Sequence, residues 1–123
     1  MTYDNSNIFA KILRHEIPFQ LVDEDEHTLS FRDINPQAPV HVLVIPKKPY
    51  IDWEDFTKKA NHEEIAAFMK AISRVAELTG IREAGYRVMS NIGRHGHQEV
   101  PHLHMHVVGG QPLGPLLSPK SQV

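Results

Sequence analysis

The sequence predicts an α+β domain: a five-stranded, mainly antiparallel sheet packed on one long helix, with a short helix near the N-terminus. Three observations carry that prediction. Residues 101–108, Pro-His-Leu-His-Met-His-Val-Val, alternate with a period of two, which is the period of a strand with one buried face. Ile65, Phe68, Met69, Ile72, Val75 and Ala76 recur at i, i+3, i+4 and i+7, the stripe of an amphipathic helix. Val40-His41-Val42-Leu43-Val44-Ile45-Pro46 is β-branched and almost wholly apolar, as a central strand covered on both faces would be.

Taken in order, residues 1–6 are polar and expected to be loose. Ile8, Phe9, Ile12 and Leu13 recur at helical spacing and Pro18 forbids continuation, so a helix is expected over 8–15. Residues 19–23 and 28–33 read as two short strands, with the acidic run 23–26 as their hairpin turn and not a functional patch. Asn35-Pro36-Gln37-Ala38-Pro39 is a rigid connector into the central strand, which Lys47-Lys48-Pro49 ends. Residues 50–60 read as a loop with a helical turn near 53–56. Asn61 and Glu64 form a capping-box pair for a helix over 62–79, Gly80 stops it, and Phe68 and Met69 are expected in the core. Residues 85–90 read as another strand, and 91–99 as a polar loop with two glycines able to bring backbone N–H groups close to an anion. Residues 109–123 form an irregular tail. Without repeats or a linker, 1–123 reads as a single domain.

Composition narrows the function. The 123 residues are 41% hydrophobic and 23% charged, ordinary for a globular protein, and the net charge of −2 gives no electrostatic case for nucleic acid or an anionic membrane. Cysteine is absent, which excludes disulfides and thiolate zinc sites and fits the cytoplasm, the expected location. No stretch has the length of a membrane span, and the first residues lack the pattern of a signal peptide. Nine histidines is a high count, and three of them fall within 102–106.

On a strand, His102, His104 and His106 would stand in a row on one face, roughly 6.5–7 Å apart. Such a row fits a metal site, a phosphate site or a proton relay. The metal reading is the weaker, because three ligands in line close poorly around a tetrahedral ion and no carboxylate obviously completes the set; neither a metal nor another cofactor is expected. The phosphate reading uses a neutral imidazole as nucleophile and its neighbours as hydrogen-bonding and proton-handling groups. Of three in a row, only His104 has a neighbour on each side. His41 alone reads as a core histidine, and Asp33 alone as a turn former at a strand end.

His102-Leu103-His104-Met105-His106-Val107-Val108 matches the His-φ-His-φ-His-φ-φ signature of the histidine triad (HIT) superfamily at every position. Ile8-Phe9-Ala10-Lys11-Ile12, Glu16-Ile17-Pro18, Phe31-Arg32-Asp33-Ile34, Pro36-Gln37-Ala38-Pro39, the run 41–47, Gly85-Tyr86-Arg87 and Asn91 resemble its nucleotide-binding (Hint) branch. Arg94-His95-Gly96 with Gln98-Glu99-Val100 looks like the bacterial members of that branch. The resemblance implies a HIT-like fold, a homodimer with a joined ten-stranded sheet, and hydrolysis of the P–N bond of AMP or GMP phosphoramidates, aminoacyl-adenylate-like compounds included, through a nucleotidyl-histidine. It implies His104 as nucleophile, His102 and His106 in phosphate binding and proton handling, and His41 as their partner. It further implies Asn91 and the backbone around Gln98, Glu99 and Val100 at the phosphate, Asp33 at the ribose, and Ile8, Phe9, Phe31 and Ile34 around the base. A nucleotide-binding regulatory module with residual turnover is the alternative of another class, and a metal-dependent hydrolase the third. Three departures touch the phosphate loop: His97 stands where the branch usually shows glycine, Glu99 where animal relatives have serine, and Pro101 where an aromatic is usual. The tail has no tryptophan.

Overall fold

The computed structural model describes residues 2–117. Chain order is α1 (Ile8–Leu13), β1 (Leu21–Glu24), β2 (Thr28–Arg32), β3 (Val40–Pro46), α2 (Trp53–Lys59), α3 (His62–Leu78), β4 (Tyr86–Met89) and β5 (Met105–Gly109). The strands make one sheet, β1-β2-β3-β5-β4, antiparallel at every pairing, which is the α+β architecture predicted.

β3 is the central strand and is covered on both faces. Val42 and Val44 pack with Phe68, Ile72, Val75, Met105 and Val107 on the α3 side, while Leu43 and Ile45 pack with Phe9, Ile12, Leu29 and Phe31 on the α1 side. Each fully buried Phe or Val contributes on the order of 1.5–3 kcal/mol, so two cores hold one thin sheet. The pairing Leu43↔His106 puts His106 on the α1 face, where the alternation of β3 also puts His41. The site lies on the face away from the long helix.

Helix ends explain two differences from the sequence expectations. α1 stops at Leu13 and does not reach residue 15, because His15 adopts the left-handed conformation (φ 61°) and closes a Schellman motif, with His15 N–H donating to Ile12 O and Glu16 N–H to Lys11 O. The stop is therefore local, well before Pro18. Residues 53–59 form a full helix, not a loop with one turn, since Asp52 caps it by accepting from the Asp55 N–H. α3 carries the expected capping box between Asn61 and Glu64, and Gly80 (φ 76°) ends it in a second Schellman motif. Phe68 is fully buried as expected, but Met69 is 43% exposed: it sits at the border of the stripe and turns towards β4.

The N-terminal segment is not loose over 3–6. Asp4 accepts from the Ser6 N–H and hydroxyl, Asn7 caps α1, and Arg14 reaches back to the Asn5 carbonyl. Of the tail, 111–117 are irregular as expected and 118–123 lie outside the described residues; Gly109 belongs to β5. Among the described residues no helix is long and apolar enough to cross a membrane.

Candidate active site

The histidine stretch is a strand only from Met105 onward. The register Val44↔Met105 would next place Pro46 opposite Leu103, and Pro46 has no N–H to continue the ladder. Residues 102 and 103 find other partners: His102 N–H donates to Val100 O and Leu103 N–H to Tyr50 O. Leu103, Met105 and Val107 enter the core as the alternation requires. His104 and His106 face the opposite side, but His102 leaves the row and is sealed inside the protein.

His104 and His106 form part of the wall of a cavity of about 460 Å³ on the α1 face, within the range of small-molecule sites. His41, Asp33 and Asn91 share that wall. Ile8, Phe9, Phe31 and Ile34 form its apolar side; Ile34 is 90% exposed, a large apolar side chain offered to whatever enters. Phe9 lies edge-on to His104, with ring centroids 4.9 Å apart. Glu99 and Val100 line the opening. Two residues of the expected site are not in this wall. His102 stands behind it, and Gln98 ties the loop together: its Nε2 donates to the carbonyls of Ile51 and Val100, its Oε1 accepts from Gly93 N–H, and its own N–H goes to Gly93 O. That backbone N–H is therefore already spent within the loop.

The same loop holds His97 at φ 61°, the left-handed region that favours glycine. The histidine has kept the backbone that a glycine would adopt there, and its Nε2 lies 2.9 Å from Glu99 Oε1 at the cavity mouth. Gly96 is required for a different reason: a Cβ on it would sit 2.3 Å from the Ile92 carbonyl oxygen.

Hydrogen-bond partners assign the imidazole tautomers. A backbone N–H can only donate, so the 3.0 Å contact from Gln37 N makes His41 Nδ1 an acceptor and puts the proton on Nε2. His41 Nε2–H lies 2.9 Å from His106 Nδ1 and 3.4 Å from Asp33 Oδ2. Donation to the nearer atom makes His106 Nδ1 the acceptor and leaves the His106 proton on Nε2, which is buried without a partner among the described residues. His104 Nδ1–H donates to the His102 carbonyl at 2.7 Å, so its Nε2 carries the free lone pair. His102 Nε2–H donates to Pro46 O at 2.9 Å, and its Nδ1 accepts the Tyr3 hydroxyl at 2.6 Å.

Burial lowers the pKa of all four imidazoles: His102 and His106 to about 4, His104 and His41 in the same direction. At neutral pH each is uncharged, as a nucleophile and its hydrogen-bonding neighbours require. Ligand atoms of Asp33, His41 and His106 also come within 4.8 Å of one another, a spacing a metal ion could use. The Gln37 contact speaks against that use, because it occupies the Nδ1 lone pair of His41 and leaves a proton on the atom that would ligate.

A family model for the HIT domain matches residues 14–113. The chain belongs to the HIT family. Among curated relatives, the purine nucleoside phosphoramidase of Escherichia coli K12 is 47% identical over 114 residues, covering 92% of this HIT chain and 94% of that protein. An uncharacterised HIT-like protein of Azospirillum brasilense is 54% identical over 117 residues, covering 95% and 96%. A HIT family hydrolase from Clostridium thermocellum superposes with a TM-score of 0.82 at 40% identity, covering 93% of this HIT chain and 99% of that one.

Sequence reasoning missed four groups that shape the HIT site. Gln37 contributes its backbone N–H, Pro46 its carbonyl, Ser90 a hydroxyl bonded to the His104 carbonyl, and Tyr3 its phenol. The first two act through the main chain and leave no side-chain signature; Tyr3 and Ser90 lie in stretches whose local pattern points elsewhere.

Proposed function

We propose that this HIT protein hydrolyses the P–N bond of purine nucleoside phosphoramidates through a nucleotidyl-histidine. One observation carries the reading: the His102 carbonyl holds His104 Nδ1–H and so leaves His104 Nε2 as a lone pair in the wall of an apolar-sided cavity. In the first step Nε2 attacks phosphorus, the P–N bond breaks, and the amine departs with a proton. In the second, water attacks the same phosphorus and gives up a proton that replaces the one the amine took, the N–P bond breaks, and the nucleotide leaves with His104 restored. The proton need not be stored beforehand, because an anionic phosphate beside lowered-pKa imidazoles favours their charged form and raises their pKa on binding. His106 Nε2–H, buried and without a partner among the described residues, is a donor that a phosphate oxygen would satisfy. His41, itself fixed by the Gln37 N–H, holds its tautomer from behind, and the His102 carbonyl holds His104. Asn91 and the backbone of Glu99 and Val100 contact the phosphate, Asp33 the ribose hydroxyls, and Ile8, Phe9, Phe31 and Ile34 the purine. The name of the Escherichia coli relative supports the substrate class.

The catalytic unit is a homodimer in this reading, joined through β4, whose outer edge is unpaired among the described residues and surrounded by exposed apolar side chains.

The experiment is a rapid acid-free quench of the protein with an AMP aminoalkyl phosphoramidate, followed by peptide mass spectrometry. A nucleotidyl adduct on the peptide carrying 102–106 is expected, absent from His104→Ala, with turnover lost by orders of magnitude and AMP affinity nearly kept. Turnover surviving EDTA supports the metal-free route. Substantial turnover by His104→Ala without an adduct in the wild type would mean direct attack by water.

A further inference from the structure

Tyr3 lies almost a hundred residues from the histidines and outside the cavity wall, yet its hydroxyl is 2.6 Å from His102 Nδ1. The two rings also meet edge-on, with centroids 5.6 Å apart at 70°. His102 is fully buried, and its other nitrogen is bonded to the Pro46 carbonyl. The imidazole is therefore held at both ends, once from β3 and once from the N-terminal segment. The carbonyl of that same residue receives His104 Nδ1–H.

We propose that Tyr3 is a positioning residue for the nucleophile: by donating to His102 Nδ1 it fixes the ring and backbone of His102, and hence the carbonyl that sets the tautomer of His104. Three features of the segment give it the needed rigidity. The Asp4–Ser6 turn, the Asn7 cap with its side-chain bond to the Asp4 carbonyl, and the Arg14 bond to the Asn5 carbonyl anchor the residues following Tyr3 to α1. The same helix supplies Ile8 and Phe9 to the cavity, so one segment supports the substrate pocket and the nucleophile together. Burial keeps the phenol protonated, as a donor must be, by raising its pKa. Without the hydroxyl, His102 Nδ1 would be an unsatisfied acceptor inside the protein, and the ring would be free to exchange tautomers or turn away.

The inference rests on His104 being the nucleophile, and its test separates the two ideas. Tyr3→Phe keeps the ring contact and removes only the donor; Tyr3→Leu removes both. Imidazole nitrogen NMR, which needs no substrate, should show wild-type His102 with a hydrogen-bonded, unprotonated Nδ1 and His104 as a single Nδ1–H tautomer. In Tyr3→Phe the His102 Nδ1 resonance should move towards that of a free lone pair and His104 should show mixed tautomers. With a phosphoramidate, kcat should fall roughly tenfold, the rate equivalent of one lost neutral hydrogen bond, with KM unchanged. Tyr3→Leu should lose little more, since the hydroxyl and not the ring volume is responsible. Unchanged imidazole signals in Tyr3→Phe, a wild-type kcat in that variant, or a wild-type His102 protonated on Nδ1 would each overturn the proposal. A wild type inert towards phosphoramidates would instead overturn the function, with the imidazole signals still judging Tyr3.

Discussion

His102 is sealed behind the cavity, and burial outweighs its Pro46 bond to bring its pKa to about 4. A histidine in the unfolded chain titrates near 6.5. Above that value neither state carries the proton and the group is neutral in the stability balance. Between about 6.5 and 4 the unfolded chain takes up a proton that folded His102 refuses, so stability falls with pH by up to about 1.4 kcal/mol per unit. Below 4 the loss levels off. His106, pushed to about 4 chiefly by burial, adds to the loss in the same direction. Urea denaturation at pH 7, 6, 5.5 and 5 should therefore show a steadily falling midpoint. The lowered carboxyls of Asp4, Glu16, Asp25, Asp55 and Glu64 act mainly below about pH 5, so the histidines dominate this window. A flat midpoint from pH 7 to 5 would mean that these imidazoles are far more solvated than the structure shows. How far this site could be read beforehand depends on where its information sits. Alternation marked His104 and His106 because strand geometry is local. His102 broke the pattern because of Pro46, a residue 56 positions away that ends the ladder and then offers its carbonyl to the imidazole. Asp33 and His41 had bland local readings, and the family resemblance was needed to bring them to the site.

At the scale of elements, the sequence was most legible where a periodic stripe and its caps agreed. α3 has both, and it runs His62–Leu78 as its stripe and capping box indicate. Its N-terminus is also where the helix joins the core: Glu64 is buried, accepting from Asn61 N–H, from the Tyr50 hydroxyl at 2.6 Å and from Lys48 at 3.4 Å. Burial alone would raise its pKa, but these donors together hold it below the usual carboxylate value, while burial and then the Glu64 carboxylate push the Tyr50 phenol up to about 12. Asn61→Ala removes the side chain that accepts Glu64 N–H, and should destabilise the protein by about 1 kcal/mol. The check is a lower urea midpoint with an unchanged slope, since the surface exposed on unfolding stays the same. α2 shows in the sequence only as a turn near 53–56, because its seven residues leave little room for a stripe and only Phe56 among them is buried. For α1 the prominent Pro18 masks the quieter stop at His15, where a non-glycine residue takes the left-handed conformation.

At the scale of the molecule, the two sheet edges differ. β1 is clamped to the body by Arg74, whose guanidinium bonds Asp23 and Asp25. Among the described residues β4 is tied more lightly, through the Arg87 guanidinium to the Gly114 carbonyl: it is the outermost strand on its side, four residues long, and Tyr86, Val88 and Met89 are all substantially exposed. Beside it, Met69, Ile92 and Trp53 join Val88 and Met89 around a shallow apolar depression of about 410 Å³. An unpaired strand edge next to an apolar face invites strand-to-strand pairing, and a twofold axis satisfies both copies while leaving only the clamped β1 strands as outer edges. Pairing of β4 with its own copy would extend five strands to ten, and would bury the Met69 side chain that a monomer leaves 43% exposed. The wild type should therefore run in light scattering at twice 14.0 kDa at micromolar concentration. Val88→Asp places a charge in the centre of the apolar patch and should shift the particle towards monomer, with the circular dichroism of the fold retained, because Val88 is 41% exposed within one chain. A wild type that stays at 14.0 kDa at micromolar concentration would rule the dimer out, and a Val88→Asp variant still dimeric would move the interface elsewhere on the surface.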